Sequence, residues 1–72
     1  MNIWLVLGWS TETGQWEVYK VLFSANLVED AVEELFEYFH ELNQIKVETW
    51  YRENGADDAC FYDDETFYRE DE

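Results

Sequence analysis

The chain has 72 residues, of which eighteen are Asp or Glu and only four are Lys or Arg, so its formal net charge is −14 at pH 7. Direct binding to DNA, RNA or an anionic membrane surface is disfavoured, because affinity for these polyanions comes from positive charge. Disorder is also disfavoured, since 47% of the residues are hydrophobic and 19% are aromatic, and disordered acidic segments lack such residues. We therefore expect a single folded domain over residues 1–72.

Cys60 is the only cysteine, which rules out an internal disulfide framework and a cysteine zinc site. A single thiol fits the reducing cytoplasm. The apolar start of the chain is far shorter than the roughly 20 residues that span a bilayer, and it lacks the basic flank of a signal peptide. We expect a cytoplasmic protein in which Cys60 is a small buried hydrophobic residue.

A β-hairpin is predicted at the start of the chain. Residues 3–9 and residues 16–23 are rich in β-branched and aromatic types, and Gly14 between them suits a tight turn. The first strand is apolar on both faces, with Trp4 and Val6 on one face. The other face carries Ile3, Leu5, Leu7 and Trp9. Such a strand is expected to lie centrally in a sheet or to have a second layer over it.

An amphipathic helix is predicted next. Asn26 with Glu29 three residues later is an acceptable N-cap arrangement, and Asn43 is a suitable end. Between them, apolar residues recur at the spacing of one helical face. These residues are Val28, Ala31, Val32, Leu35, Phe36, Phe39 and Leu42.

The remaining segments predict two more strands. Residues 45–52 alternate in character, and Asn54-Gly55 is a strong turn signal. The segment from Cys60 is compatible with a strand or with a short helix, and we favour the strand. The fold class is then α+β: an antiparallel β-sheet in β-β-α-β-β order with one amphipathic helix packed on one face.

The predicted helix carries an acidic stripe. No Lys or Arg occurs between Ala25 and Ile45, although opposite charges four residues apart would stabilise a helix. The stripe is about 18 Å long with roughly one carboxylate per 3 Å, close to the ~3.4 Å spacing of phosphates along one DNA strand. A solvated acidic surface is the alternative interpretation. The candidate partner-binding residues here are Glu29, Asp30, Glu33, Glu34, Glu37 and Glu41.

A second acidic block occupies residues 53–72, where nine acidic residues accompany one basic residue, Arg69. Interleaved aromatic residues favour a protein-binding surface, since aromatic anchors carry interface energy and charges speed the encounter. The alternative is that these aromatic residues are core, which we expect for Phe61. The candidate partner-binding residues from the third strand onward are Trp50, Asp57, Asp58, Tyr62, Asp63, Asp64, Glu65 and Tyr68.

No catalytic residues are predicted. His40 is interpreted as a surface helix residue, and the sequence contains no Ser/His/Asp grouping, phosphate loop or dinucleotide fingerprint. The clustered acidic residues lack the spacing of an EF-hand. We predict a protein that is not an enzyme and that needs no cofactor or metal.

In its size, its pI near 4.1, its carboxylate stripe from Glu29 to Glu41 and its acidic, aromatic tail, the chain resembles small acidic proteins that mimic DNA. These proteins are encoded mainly by phages and mobile elements, and they include anti-restriction proteins, anti-CRISPR proteins and uracil-DNA-glycosylase inhibitors. They share no single fold or diagnostic motif, so no residue roles carry over. The resemblance implies an inhibitor in the host cell cytoplasm that binds the basic nucleic-acid-binding surface of a CRISPR effector, a restriction enzyme or another DNA-processing protein.

The alternative function is a small acidic adaptor or regulatory subunit. One helix covers only one face of a sheet, and a homodimer packed through Trp4, Val6 and neighbouring aromatic residues would cover the other. Adaptation to high salt is a third interpretation of the charge.

Overall fold

A computed structural model describes residues 1–53 and 58–69 of the chain. Its elements are β1 (Asn2–Ser10), β2 (Gln15–Leu22), a short 3₁₀ helix (Ala25–Leu27), α1 (Val28–Tyr38), β3 (Gln44–Tyr51) and β4 (Cys60–Tyr68). The strands form one antiparallel sheet in the spatial order β2-β1-β3-β4. The predicted α+β class and β-β-α-β-β order are thus confirmed. The predicted turn at Asn54-Gly55 lies outside the described residues.

The first two strands form the predicted hairpin. Ser10 pairs with Gln15 at its closed end, and the N–H of Gly14 donates to the carbonyl oxygen of Ser10 at 2.9 Å. Gly14 has a φ of 68°, in the left-handed region that a residue without a Cβ adopts at little cost. The turn residue therefore fixes the register of the hairpin.

β1 is a central strand, as its two apolar faces predicted, with β2 on one side and β3 on the other. Directly paired residues share a face of the sheet, and successive residues alternate between faces. Val6 pairs with Val47, and both belong to the core under α1. The intervening residues of β1, including Leu5 and Leu7, therefore lie on the side of the sheet away from α1.

The core lies between the sheet and α1. Ala31, Val32 and Leu35 are the buried residues of the helix, as the predicted apolar stripe requires. They pack with Val6, Ile45, Val47 and Leu42. Around this centre, Trp4, Tyr19, Leu22, Val28, Phe36, Phe39 and Phe67 are partly buried. Burial of this one sheet face and one helix face is what holds a chain of this size together.

Both predicted helix ends are wrong. α1 begins at Val28 after the 3₁₀ helix, with Leu27 at the N-cap position and no side-chain capping bond, so Asn26 is not the N-cap. At the other end Phe39 leaves the helical conformation with φ −114° and ψ 86°. A turn closed by the Leu42 N–H and the Phe39 carbonyl at 3.1 Å replaces the last predicted helical turn, and Asn43 lies beyond it.

Arg69 stabilises the turn that follows Tyr38. Its Nε donates to the carbonyl oxygen of Leu42 and its Nη2 to that of Phe39, both at 2.9 Å. Its guanidinium carbon also lies 5.0 Å from the centre of the Phe36 ring. These bonds give two carbonyl oxygens of the turn after α1 a charged donor, and they join the end of β4 to that turn.

His40 lies in this turn and is exposed, so it is a surface residue, as predicted, but it is not helical. Within the described part of the chain, no helix has the length and apolar character that crossing a bilayer requires.

Candidate functional site

The solvent side of α1 is the first candidate surface. Glu29 and Asp30 lie in its first turn, where the positive end of the helix dipole favours negative charge, and no basic residue lies in its last turn. Eight residue steps of about 1.5 Å place these carboxylates along about 12 Å of helix axis. All five acidic residues of the helix are exposed: Glu29, Asp30, Glu33, Glu34 and Glu37.

One cation from another element reaches this surface. Lys20 of β2 places its Nζ 3.1 Å from Oε1 of Glu34, with both side chains partly exposed. A surface pair of this kind is worth at most about 1 kcal/mol. Among the described residues, no salt bridge involves the other four carboxylates of α1. The predicted absence of basic residues is correct within the helix itself, but β2 brings Lys20 into contact with the stripe.

Glu41 does not extend the stripe, because α1 ends at Tyr38. It borders a cleft at the hairpin end of the sheet together with Glu12, Glu17 and Tyr19. Burial raises the pKa of the Tyr19 hydroxyl above 10.0, and the negative charges of Glu17, Glu41 and Glu12 raise it further. The predicted stripe of about 18 Å is therefore shortened to about 12 Å, and its last member belongs to a different surface.

β4 supplies a second group of exposed carboxylates, Asp63, Asp64 and Glu65. Glu65 pairs with Val47, which is part of the core, so Glu65 and Asp63 lie on the α1 side of the sheet. Asp64 lies on the opposite side. β4 therefore places the carboxylates of the predicted second acidic block on two different sides of the sheet.

The two acidic groups adjoin at the start of α1. A cleft of about 230 Å³ lies between β4 and this end of the helix, and its lining includes Ala25, Val28, Asp63 and Glu65. Glu29 and Asp30 directly follow Val28 in the chain. We call the combined surface the acidic face, and its members are Glu29, Asp30, Glu33, Glu34, Glu37, Asp63 and Glu65.

β4 is also an edge strand, and its outer edge is partly closed by its own side chains. The N–H of Arg69 donates to the carbonyl of Asn43 in the β3 direction at 3.0 Å, and strand alternation then directs the N–H of Asp64 away from β3. That N–H donates to Oδ1 of Asp63 at 2.8 Å. The Asp63 carboxylate thus occupies a backbone N–H to which a strand from another molecule could otherwise bond.

The predicted aromatic anchors do not join the acidic face as a group. Tyr62 is 77% exposed and Tyr68 is 67% exposed, but Tyr68 pairs with Gln44 on the side away from α1. Trp50 is also on that side, since it pairs with Ile3 of β1. Phe61 is 51% exposed rather than core, because it pairs with Trp50 beyond an irregularity in the β3–β4 register.

The side of the sheet away from α1, which we call the open face, was expected from the sequence to be uncovered, but the residues assigned to it, Trp4 and Val6, face α1 instead. Among the described residues, no helix or second sheet lies over it. Val18 is 54% exposed and Val21 is 48% exposed. Trp16 and Val18 of β2 alternate onto the open face, but a bulge in the β1–β2 register places Val21 there instead of Lys20. The members of the open face are Ile3, Leu5, Leu7, Trp9, Trp16, Val18, Val21, Gln44, Lys46, Glu48, Trp50, Phe61, Asp64, Thr66 and Tyr68.

A chain of side-chain contacts crosses the open face from β2 to β4. Lys46 Nζ lies 4.8 Å from the centre of the Trp16 ring and 3.2 Å from Oε2 of Glu48. The indole N–H of Trp50 donates to Oε1 of Glu48 at 3.2 Å. Trp50 and Phe61 then meet edge to face, with ring centres 5.6 Å apart. These contacts pair Lys46 with Glu48 in the middle of the open face.

The remaining residues considered from the sequence lie at the start of β4 or before it. Asp58 is exposed before β4, and Asp57 lies outside the described residues. Cys60 is exposed, which corrects its assignment as a buried hydrophobic residue, because it lies at the first position of an edge strand. Within the described ranges, no three His, Cys, Asp or Glu side chains are grouped closely enough to hold a metal ion.

The acidic face and the open face thus lie on opposite sides of one thin sheet. No known protein family, curated protein or solved structure matches the chain.

Proposed function

We propose that this protein is an inhibitor whose acidic face occupies the basic nucleic-acid-binding surface of a host defence or DNA-processing protein, such as a CRISPR effector or a restriction enzyme. It would act in the cytoplasm of the host cell, and it would bind protein rather than nucleic acid. One observation carries the proposal: the acidic face holds seven exposed carboxylates, and among the described residues only Glu34 has a salt bridge there.

The spacing of the charges supports this partner. Five carboxylates along about 12 Å of helix give one per about 3 Å, near the ~3.4 Å phosphate spacing of a DNA strand. A groove lined with Arg and Lys to hold phosphates would meet a similar charge density here. Charge of one sign also speeds the encounter with an oppositely charged partner. Binding is therefore expected to weaken as salt is added.

Charge reversal on α1 tests the proposal. The variant Glu29→Lys/Glu33→Lys/Glu37→Lys changes three carboxylates that have no salt bridge among the described residues, and it leaves the Lys20–Glu34 pair intact. The change raises the formal net charge by six, from −14 to −8. These side chains are exposed, so the fold should survive.

A matched control carries the same charge change elsewhere. Glu12→Lys/Glu17→Lys/Glu53→Lys also has a formal net charge of −8, at positions outside the acidic face that are not candidate partner-binding residues. Each protein would be expressed in a panel of bacterial hosts, each with one restriction or CRISPR system, and challenged with a phage that the system blocks. We expect the wild type and the control to restore plaques on at least one host, and the α1 variant to fail there. Equal protection by the α1 variant would refute the proposal.

The second candidate function is a protein-interaction adaptor or regulatory subunit, and the exposed apolar residues of the open face favour it. The two functions differ in their response to DNA. A partner held on the acidic face should be released by added double-stranded DNA, whereas a partner held on the open face should not.

A further inference from the structure

We propose that a second copy of this chain covers the open face, giving a symmetric dimer whose layers run helix, sheet, sheet, helix. This corrects the dimer surface expected from the sequence, because Trp4 and Val6 face α1 and are part of its core or packed against it. The dimer does not depend on the proposed inhibitory function.

The open face has the composition of an interface. Val18, Val21 and Phe61 are each about half exposed, at 54%, 48% and 51%, and Trp9 is 37% exposed. Large exposed apolar patches are uncommon on proteins that remain monomeric, and they mark surfaces that bind other proteins. Trp9 and Trp16 already pack edge to face with ring centres 5.4 Å apart, so the aromatic surface is ordered before a partner arrives.

Charge favours a second copy over a basic partner. The open face carries Lys46 and Glu48, joined at 3.2 Å, and Asp64, which pairs with Glu48 from the edge strand β4, so its formal charge is −1 in a chain of net charge −14. A basic partner would find far less negative charge here than on the acidic face, whereas an identical surface of charge −1 meets little repulsion. The Lys46 and Glu48 side chains are already less than one-fifth exposed, and burying a pair that is bonded to itself leaves neither of its two charges without a partner.

The acidic faces do not oppose this arrangement. In the dimer the two α1 helices lie on the outside, separated by three layer spacings of about 10 Å each. That separation of about 30 Å exceeds the screening length of about 8 Å at physiological salt several times over. The repulsion between the acidic faces is therefore largely screened, and added salt should strengthen the dimer.

The size of the open face is sufficient. The molecule is a flat slab with extents of 45 × 27 × 17 Å, so the two sides of the sheet are its broad surfaces. Four strands about 4.8 Å apart and eight or nine residues long at about 3.3 Å per residue give a footprint of roughly 500 Å². Side-chain relief raises the accessible area above this footprint, towards the ~600 Å² per partner at the lower end of stable interfaces.

Sedimentation equilibrium tests the dimer directly. At micromolar concentration and physiological salt, the wild type should sediment at about twice its chain mass of 8.7 kDa. A wild type that sediments as a monomer throughout, at low and at high salt, would overturn the proposal. If such a monomer instead bound a different protein through the open face, that result would overturn it too.

Two variants that both add positive charge, one on each face, identify the surface. Val18→Lys/Val21→Lys places two cations on the open face at positions that are already about half exposed, so circular dichroism should be unchanged while the mass falls to that of a monomer. Glu29→Lys/Glu33→Lys adds twice as much positive charge on the acidic face and should remain dimeric. A dimer that persists in the valine variant would refute the open face as the interface. Dimerisation should strengthen with salt and inhibition should weaken, so the two proposals can fail separately.

Discussion

Gly8 of β1 supports the core by having no side chain, and replacing it with alanine tests this packing. A Cβ at this position would lie 2.7 Å from Cε2 of Tyr19 and 2.9 and 3.0 Å from the two terminal methyl groups of Leu42. The φ of Gly8 is not in the left-handed region, so the need is for space rather than for conformational freedom.

The expected loss follows from what the neighbours can do. Leu42 is 1% exposed, so its methyl groups can shift only against other core side chains. Tyr19 could turn outward, but it would give up its packing on Phe39, whose ring centre is 5.1 Å away, a contact worth about 0.5–1.5 kcal/mol. Overpacking of a core costs about 1–3 kcal/mol, and alanine regains about 0.5–1 kcal/mol over glycine within a strand. We expect Gly8→Ala to lower the free energy of unfolding by about 1–2 kcal/mol.

Urea denaturation followed by tryptophan fluorescence would measure this change. Combining Gly8→Ala with Leu42→Ala should cost less than the sum of the single changes, because the second change makes room for the first. Gly14→Ala is the control: it is strained by its φ of 68°, but a Cβ there has no neighbour within 4 Å, so it should be additive with Leu42→Ala. A Gly8→Ala variant as stable as the wild type, or an additive pair with Leu42→Ala, would refute the reasoning.

Two further predictions concern single side chains. Arg69→Met should lower the free energy of unfolding by about 1–3 kcal/mol, because the two carbonyl oxygens after α1 lose a charged donor. Arg69→Lys should recover only part of this loss in thermal melts. An Arg69→Met variant as stable as the wild type would contradict the role of these bonds. The folded pKa of Tyr19 is raised by burial and nearby carboxylates, so its contribution to stability is complete below about pH 10 and is lost as the pH rises further. Thermal melts between pH 9 and pH 11 should therefore show that Tyr19→Phe loses less stability than the wild type. If stability falls with pH equally steeply in both proteins, Tyr19 is not the group responsible.

The elements of the fold could be predicted because their signals are local. Gly14 marks the hairpin turn, and the spacing of Ala31, Val32 and Leu35 marks the helix. The end of the helix could not be predicted in the same way. It depends on Arg69, which bonds the carbonyl of Phe39 from thirty residues away in the chain, and no local pattern near Phe39 shows that partner.

The candidate surfaces were predicted less completely than the fold. The sequence shows which residues are acidic, but the side of the sheet that each one occupies depends on strand register. The register of β4 against β3 is irregular between Thr49 and Trp50, and this irregularity places Phe61 beside Trp50 on the open face. The pairing of Lys20 with Glu34 also joins two separate elements. Such contacts follow from the assembled sheet and not from composition.

The bond from the Asp64 N–H to the Asp63 carboxylate affects how readily the protein aggregates. Exposed edge strands can add strands from other molecules and grow into fibrils, and proteins often protect them with charge. β4 has no proline and is aromatic at both ends, so its carboxylates are its main protection. Loss of the negative charge of carboxylates in acid removes the repulsion between molecules, and a neutral carboxyl group is a weaker acceptor for a backbone N–H than a charged one. Storage at low pH is therefore where this protein should form filaments, edge to edge along β4.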